Sequence, residues 1–148
     1  MKDIKVLTLR KEGIRDFSEA RNALLAKIKE PWILVLDTDE KLSQEAMQTI
    51  PKLIQDNNID GYWFRRRWYY DTTHYLKHGL FYPDYQLRLF RNKPEYRYIH
   101  RVHEELTIPK EKTKQIEVDM YHYNVIQKPM NSYTKLATLD FKDLNKTK

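Results

Sequence analysis

The chain has 148 residues, enough for one domain with a sizeable core. It has no cysteine, which excludes disulfides, thiol catalysis, iron–sulfur clusters and cysteine-ligated zinc. Lys+Arg 27 against Asp+Glu 21 gives +6, a surplus that attracts nucleic acid, anionic lipid headgroups or a nucleoside diphosphate without choosing among them.

Residues 4–9 read as a short strand. Residues 16–29 read as a helix capped by Asp16, with Glu19 three residues on to complete a capping box. Phe17, Ala20, Leu24 and Ile28 supply its predicted apolar face, which leaves Arg21 beside or opposite that face as a surface charge, and Pro31 ends the helix. The apolar run Trp32-Ile33-Leu34-Val35-Leu36 reads as a buried strand and runs straight into Asp37-Thr38-Asp39-Glu40. Residues 43–56 read as a helix capped by Ser43, with Met47, Ile50 and Ile54 on one face and Pro51 expected to kink or divide it. Gly61 to Tyr70 reads as a strand in which Arg66 faces away from Arg65 and Arg67. Residues 71–85 look irregular, Gln86 to Arg91 alternate as a strand, and 92–115 read mostly as loop around a polar cluster at 100–105. Ile116 to Tyr123 reads as a last strand, and Ser132 to Leu144 as a surface helix.

Ligands in α/β sheets collect at the carboxyl ends of strands. Three carboxylates there, Asp37, Asp39 and Glu40, make a hard, oxygen-rich site suited to Mg²⁺ or Mn²⁺ holding a diphosphate, although turns favour Asp for their own reasons. Only three glycines occur, so neither Gly-x-Gly-x-x-Gly nor a Walker loop can be written, and a phosphate has to be held by metal and side chains. Trp63, Trp68, Tyr69 and Tyr70 offer flat surfaces for a sugar ring. A zinc hydrolase fits poorly, because His74-x-x-x-His78 and His100-x-x-His103 lack the Glu of His-Glu-x-x-His. No run approaches ~20 apolar residues and the first residues carry no apolar leader, so a cytoplasmic protein is expected, with the basic surplus suiting the cytoplasmic face of a membrane.

Six pieces lie in order: Asp16 to Asn22, Trp32 to Glu40, Asp60-Gly61-Tyr62, Tyr82 to Arg91, Val102-His103-Glu104 and Tyr121-His122-Tyr123. Together, from about residue 14 to residue 125, the chain resembles family-two glycosyltransferases of the GT-A fold. The resemblance implies a single α/β domain, a partial GT-A fold with a mixed central sheet flanked by helices. It implies a metal-dependent transfer of a sugar from a UDP- or GDP-linked donor to a sugar, lipid-linked or protein acceptor, by a single inverting displacement. Asp39 would be the direct ligand of Mn²⁺ or Mg²⁺, Asp37 would face the metal or the ribose, and His122 would hold metal or diphosphate. Arg21 would touch the donor nucleotide, Gly61 would lie near the sugar-binding loop, and Gln86 and Arg88 would lie near donor and acceptor. The base would be Glu104, with Glu105 as close competitor. The family's first two strands bind the nucleoside base, whereas this chain starts near the third strand of the pattern, so a second chain or a homo-oligomer is expected to complete the donor site.

Two rivals follow from the same residues. Arg65-Arg66-Arg67-Trp68-Tyr69-Tyr70 interleaves basic and aromatic side chains as single-stranded nucleic-acid binders do, though no RNP-like, helix-turn-helix or zinc-finger pattern accompanies it. The other rival is a catalytically inactive glycosyltransferase-like scaffold.

Overall fold

The structure, a computed structural model, describes residues 3–9, 16–69, 83–100 and 105–123. Tyr70, His74, His78, Tyr82, Val102, His103, Glu104 and the helix expected over residues 132–144 lie outside the described residues. In chain order the elements are β1 (Ile4–Leu9), α1 (Phe17–Leu25), β2 (Trp32–Asp37), β3 (Glu40–Leu42), α2 (Gln44–Leu53), β4 (Gly61–Trp68), β5 (Asp84–Arg91), β6 (Tyr98–Ile99), β7 (Glu105–Leu106), a 3₁₀ turn (Lys110–Lys112) and β8 (Thr113–His122).

Six strands form one mixed sheet in the order β1-β2-β5-β4-β8-β3, and β6 pairs with β7 as a separate hairpin strip. The β1–β2 and β4–β8 pairs are parallel, the others antiparallel. Strands β2 and β3 are joined by Thr38 and Asp39 alone, yet they stand four strands apart in the sheet order. The sheet therefore curls until its edge strand returns to the end of β2, and the acidic turn is the clasp.

Each face of the sheet has its own core. Alternation along β2 sends Trp32, Leu34 and Leu36 to one face and Ile33 and Val35 to the other. The first set packs with Ala46 and Ile50 of α2 and with Tyr62, Phe64, Leu89 and Met120. The second packs with Leu25 of α1 and with Tyr98, Leu106 and Ile108 from the β6–β7 region. Burying β2 on both faces explains why its run is continuously apolar rather than alternating.

Several expectations need correction. Helix α1 ends at Leu25, before Pro31 is reached, and its buried residues are Ser18, Arg21 and Leu25 rather than the predicted stripe. The inward face is partly polar, so an apolar pattern could not find it. Helix α2 is continuous through Pro51. That proline sits two residues from the helix end, so the N–H it lacks is missing from the last turn alone. The segment 92–115 contains β6, β7, the 3₁₀ turn and the start of β8. Both helix caps hold as expected: Asp16 accepts from Glu19 N at 3.0 Å and Ser43 from Ala46 N at 3.0 Å. Among the described residues no helix is long and apolar enough to cross a membrane.

Candidate functional site

Asp37 is the last residue of β2, and alternation after Ile33 and Val35 turns it toward α1. Arg21 meets it there at 2.6 Å, and this arginine is 2% exposed. Burial works against the Arg21 charge, but Asp37 beside it outweighs that and holds the guanidinium more firmly protonated than usual. Arg21 is therefore not a mere surface charge, the alternative its place on the helix left open: the helix buries it to reach a carboxylate.

Arg88 reaches the same place by a different device. Tyr62 pairs with Leu89 and Trp63 with Leu87, so Arg88 is the extra residue of a bulge in β5. Freed from the ladder, its guanidinium lies 2.9 and 3.0 Å from the two oxygens of Glu40 and 3.6 Å from Asp37.

Glu40 is completely buried. Besides Arg88 it accepts from Arg66 at 2.9 Å and from the backbone N–H of Asp37 at 3.0 Å. Burial alone would raise its pKa, but Arg88 and then Arg66 hold the carboxyl well below the usual carboxylate range. Glu40 thus faces inward and is saturated by donors. It is no part of an outward oxygen-rich site, contrary to the three-carboxylate expectation. Its work is to fold the turn back on itself, leaving Asp39 at the tip.

Asp39 is 22% exposed on its side chain, and its Oδ2 lies 3.0 Å from Nε2 of His122. β3 pairs with the end of β8, Glu40 opposite His122, and Tyr123 N donates to Asp39 O at 2.9 Å. Trp68 stands edge-on to the imidazole with 4.2 Å between ring centres, and its Nε1–H donates to Asp84 at 2.9 Å. Tyr69 stacks on Tyr123 at 5.0 Å. Among the described residues no group of three His, Asp or Glu could hold a metal. The 3.0 Å between the two atoms is a hydrogen-bond distance, and the pair offers one imidazole nitrogen and one carboxylate oxygen, the atom types that could hold a divalent cation. His122 Nδ1 is buried and has no hydrogen-bond partner among the described residues.

Beside this turn opens a cavity of about 850 Å³. It brings together Arg21, Asp37, Trp63, Gln86, Arg88 and Glu105 of the predicted residues. Asp39, His122, Trp68 and Tyr69 are not part of its lining. Gly61 lies behind the wall: a Cβ there would come within 3.0 Å of Leu87 Cδ1 and 3.3 Å of Thr113 Cγ2, so the glycine lets the wall close. Gln86 donates to Asp84 at 2.9 Å. Glu105 opens β7 and is exposed at the cavity. Glu104 lies outside the described residues.

Four contributors, Arg66, Tyr98, Asn22 and Ser18, were given no part in the site by the sequence. Arg66 ties Glu40 to Asp84, at 2.9 and 2.8 Å. Its neighbours Arg65 and Arg67 both turn to Asp119, as strand alternation predicts. Tyr98 lies under the Arg21 guanidinium, 5.2 Å from it. Asn22, one helical turn from Ser18, grips the backbone of Tyr98 by accepting from its N–H and donating to its C=O, both at 2.9 Å. Ser18 donates to His100 O. These bonds set the β6–β7 strip against α1, and with it the wall that carries Glu105. The only local signal was Asn22 following Arg21; its partners 76 residues on could not be read.

The family model described as Glycosyl transferase family 2 matches residues 2–120. No curated protein matches the chain.

Proposed function

The chain belongs to glycosyl transferase family 2, and on that premise we propose that it transfers a sugar from a nucleotide diphosphate donor, UDP- or GDP-linked, to an acceptor hydroxyl. The observation that carries this reading is the Asp39–His122 pair, two donors 83 residues apart in sequence held at 3.0 Å on the tip of the clasp. Asp39 and His122 would hold a divalent cation, Mn²⁺ or Mg²⁺. When bound it would supply Lewis-acid stabilisation for the charge that develops on the departing diphosphate.

The chain's own residues divide the remaining work. Glu40 fixes the turn so that Asp39 points outward. Asp37 pairs with Arg21 at 2.6 Å and lines the cavity, which places it where a ribose or sugar can approach. The Glu104–Glu105 step supplies the base that takes the acceptor proton, with Glu105 already on the cavity wall. The family pattern supplies one base and no second nucleophile, which supports a single, inverting displacement. Trp63, Gln86 and Arg88 border the acceptor side, and Trp68 and Tyr69 border the diphosphate side.

The test is calorimetry of UDP and GDP with and without Mn²⁺, on wild type and Asp39→Ala. Binding that needs Mn²⁺ and falls at least tenfold in Asp39→Ala is expected. Equal binding without metal, or no binding by folded protein, would overturn the reading.

A further inference from the structure

The cavity beside the clasp has a lining of two kinds. Trp63, Leu87, Leu106 and Ile108 are apolar. The charged part sets Arg21, Arg66, Arg88 and Lys110 against Asp37 and Glu105, four cations to two carboxylates. Glu40 and Asp84, which Arg88 and Arg66 meet at 2.9 and 2.8 Å, are not part of the lining, so those pairs turn their positive ends to the cavity. Both guanidinium groups also keep a donor in reserve. Arg88 gives Nε and Nη2 to Glu40, and Arg66 gives Nε to Asp84 and Nη1 to Glu40. A guanidinium carries five N–H donors, so Nη1 of Arg88 and Nη2 of Arg66 are left over among the described residues. Lys110 is exposed and makes no ion pair among the described residues.

We infer that the cavity binds an oxyanion carried on a sugar, so that the acceptor of the proposed transfer is an acidic glycan bearing a carboxylate or a phosphate, with Lys110 as the residue that selects it. This rests on the transferase reading given above. Such a group can accept from Lys110 and from the spare guanidinium nitrogens without drawing Arg66 or Arg88 away from Glu40, so the completely buried carboxylate keeps its donors. A neutral sugar would leave the cationic excess of the lining unmet. The apolar part points to the remainder of the ligand: Trp63 offers a sugar ring a flat face, which a bare anion would leave unused. The like charge of Glu105 repels the oxyanion and leaves a hydroxyl as the group that approaches it, the group whose proton it takes. The donor diphosphate is a separate anion, because its proposed holders, Asp39 and His122, are not part of this lining.

Ligand-observed NMR titrations on the full chain test this, using methyl β-D-glucuronide and α-D-glucose 1-phosphate against methyl β-D-glucopyranoside and inorganic phosphate. Wild type should bind at least one sugar anion about tenfold more tightly than it binds the neutral glycoside or inorganic phosphate. Raising salt from about 0.1 M to about 1 M shortens the screening length from about 10 Å to about 3 Å and should weaken that binding. Lys110→Glu, at an exposed position, should lose it, and Lys110→Arg should keep it. A neutral glycoside bound as tightly as both sugar anions, no binding of either sugar anion by folded wild type, or unchanged binding in Lys110→Glu would overturn the inference. Inorganic phosphate bound as tightly as both sugar anions would mark a site for a free anion and overturn the assignment to an acceptor. UDP with Mn²⁺ should leave sugar-anion binding intact; competitive displacement would make the cavity the diphosphate's own site and overturn it as well. Failure of the transferase reading shows separately, as absence of metal-dependent nucleotide binding with sugar-anion binding intact.

Discussion

Glu40 is the residue on which the candidate site turns. Its two oxygens take two bonds from Arg88, one from Arg66 and one from the Asp37 N–H. Removing its charge leaves two inward guanidinium groups undercompensated, which typically costs about 3–5 kcal/mol. Glu40→Gln should therefore lower the urea-unfolding free energy by about that amount. The pH dependence follows from the direction of its shift. The folded-state pKa is depressed, so the stabilisation is complete above the ordinary value of 4.5 and is lost as pH falls below it. Melting temperatures from pH 6 to pH 3 should drop more steeply in wild type than in Glu40→Gln. Tyr96 gives the opposite limb. Burial and the bond from its hydroxyl to Asp60 push its pKa up from 10.0 to about 12. The native state keeps that proton where the unfolded chain loses it, so stability should decline from pH 10 to about 12. Tyr96→Phe should remove that decline in an alkaline melting series.

At the scale of elements, α1 does two jobs with one face. Ser18, Arg21, Asn22 and Leu25 follow helical spacing, and they respectively grip His100, meet Asp37, clamp Tyr98 and enter the core. Asn22→Ala deletes both bonds to Tyr98 and leaves its backbone groups to find other partners, a loss of about 1–3 kcal/mol. Hydrogen exchange in residues 96–107 should accelerate, while the peptides of α2 stay unchanged; equal acceleration everywhere would mean global loosening instead. His100 has φ 73°, the sole positive value for a non-glycine among the described residues, so the grip of Ser18 on its carbonyl holds a conformation the chain disfavours. Local patterns made α1, β1, β2 and α2 legible, because caps and continuous apolar runs are written in adjacent residues. They hid the inward face of α1, since a helix that packs on a charged site buries Arg21 and Ser18 instead of an apolar stripe. They hid β3 as well, because a three-residue strand has too few alternations to register. Asp37 and Asp39 were conspicuous as a pair, but their division into an inward and an outward role came from Glu40, whose partners lie in β4 and β5.

Across the whole molecule, neighbours in space are seldom neighbours in sequence. β8 inserts between β4 and β3, and β5 between β2 and β4. The clasp between β2 and β3 is drawn early in the chain, yet it is closed by His122 and Tyr123. Sheets dominated by such distant pairings fold in milliseconds to seconds rather than microseconds. A ribosome adding about 5–20 residues per second takes roughly 4–17 s to travel from Asp39 to His122. During that interval the nascent chain displays an acidic loop with no imidazole beside it and a strand with an open edge. The candidate metal pair is thus completed only when His122 emerges, and a chain released before His122 carries the conspicuous half of the motif without the half that completes it.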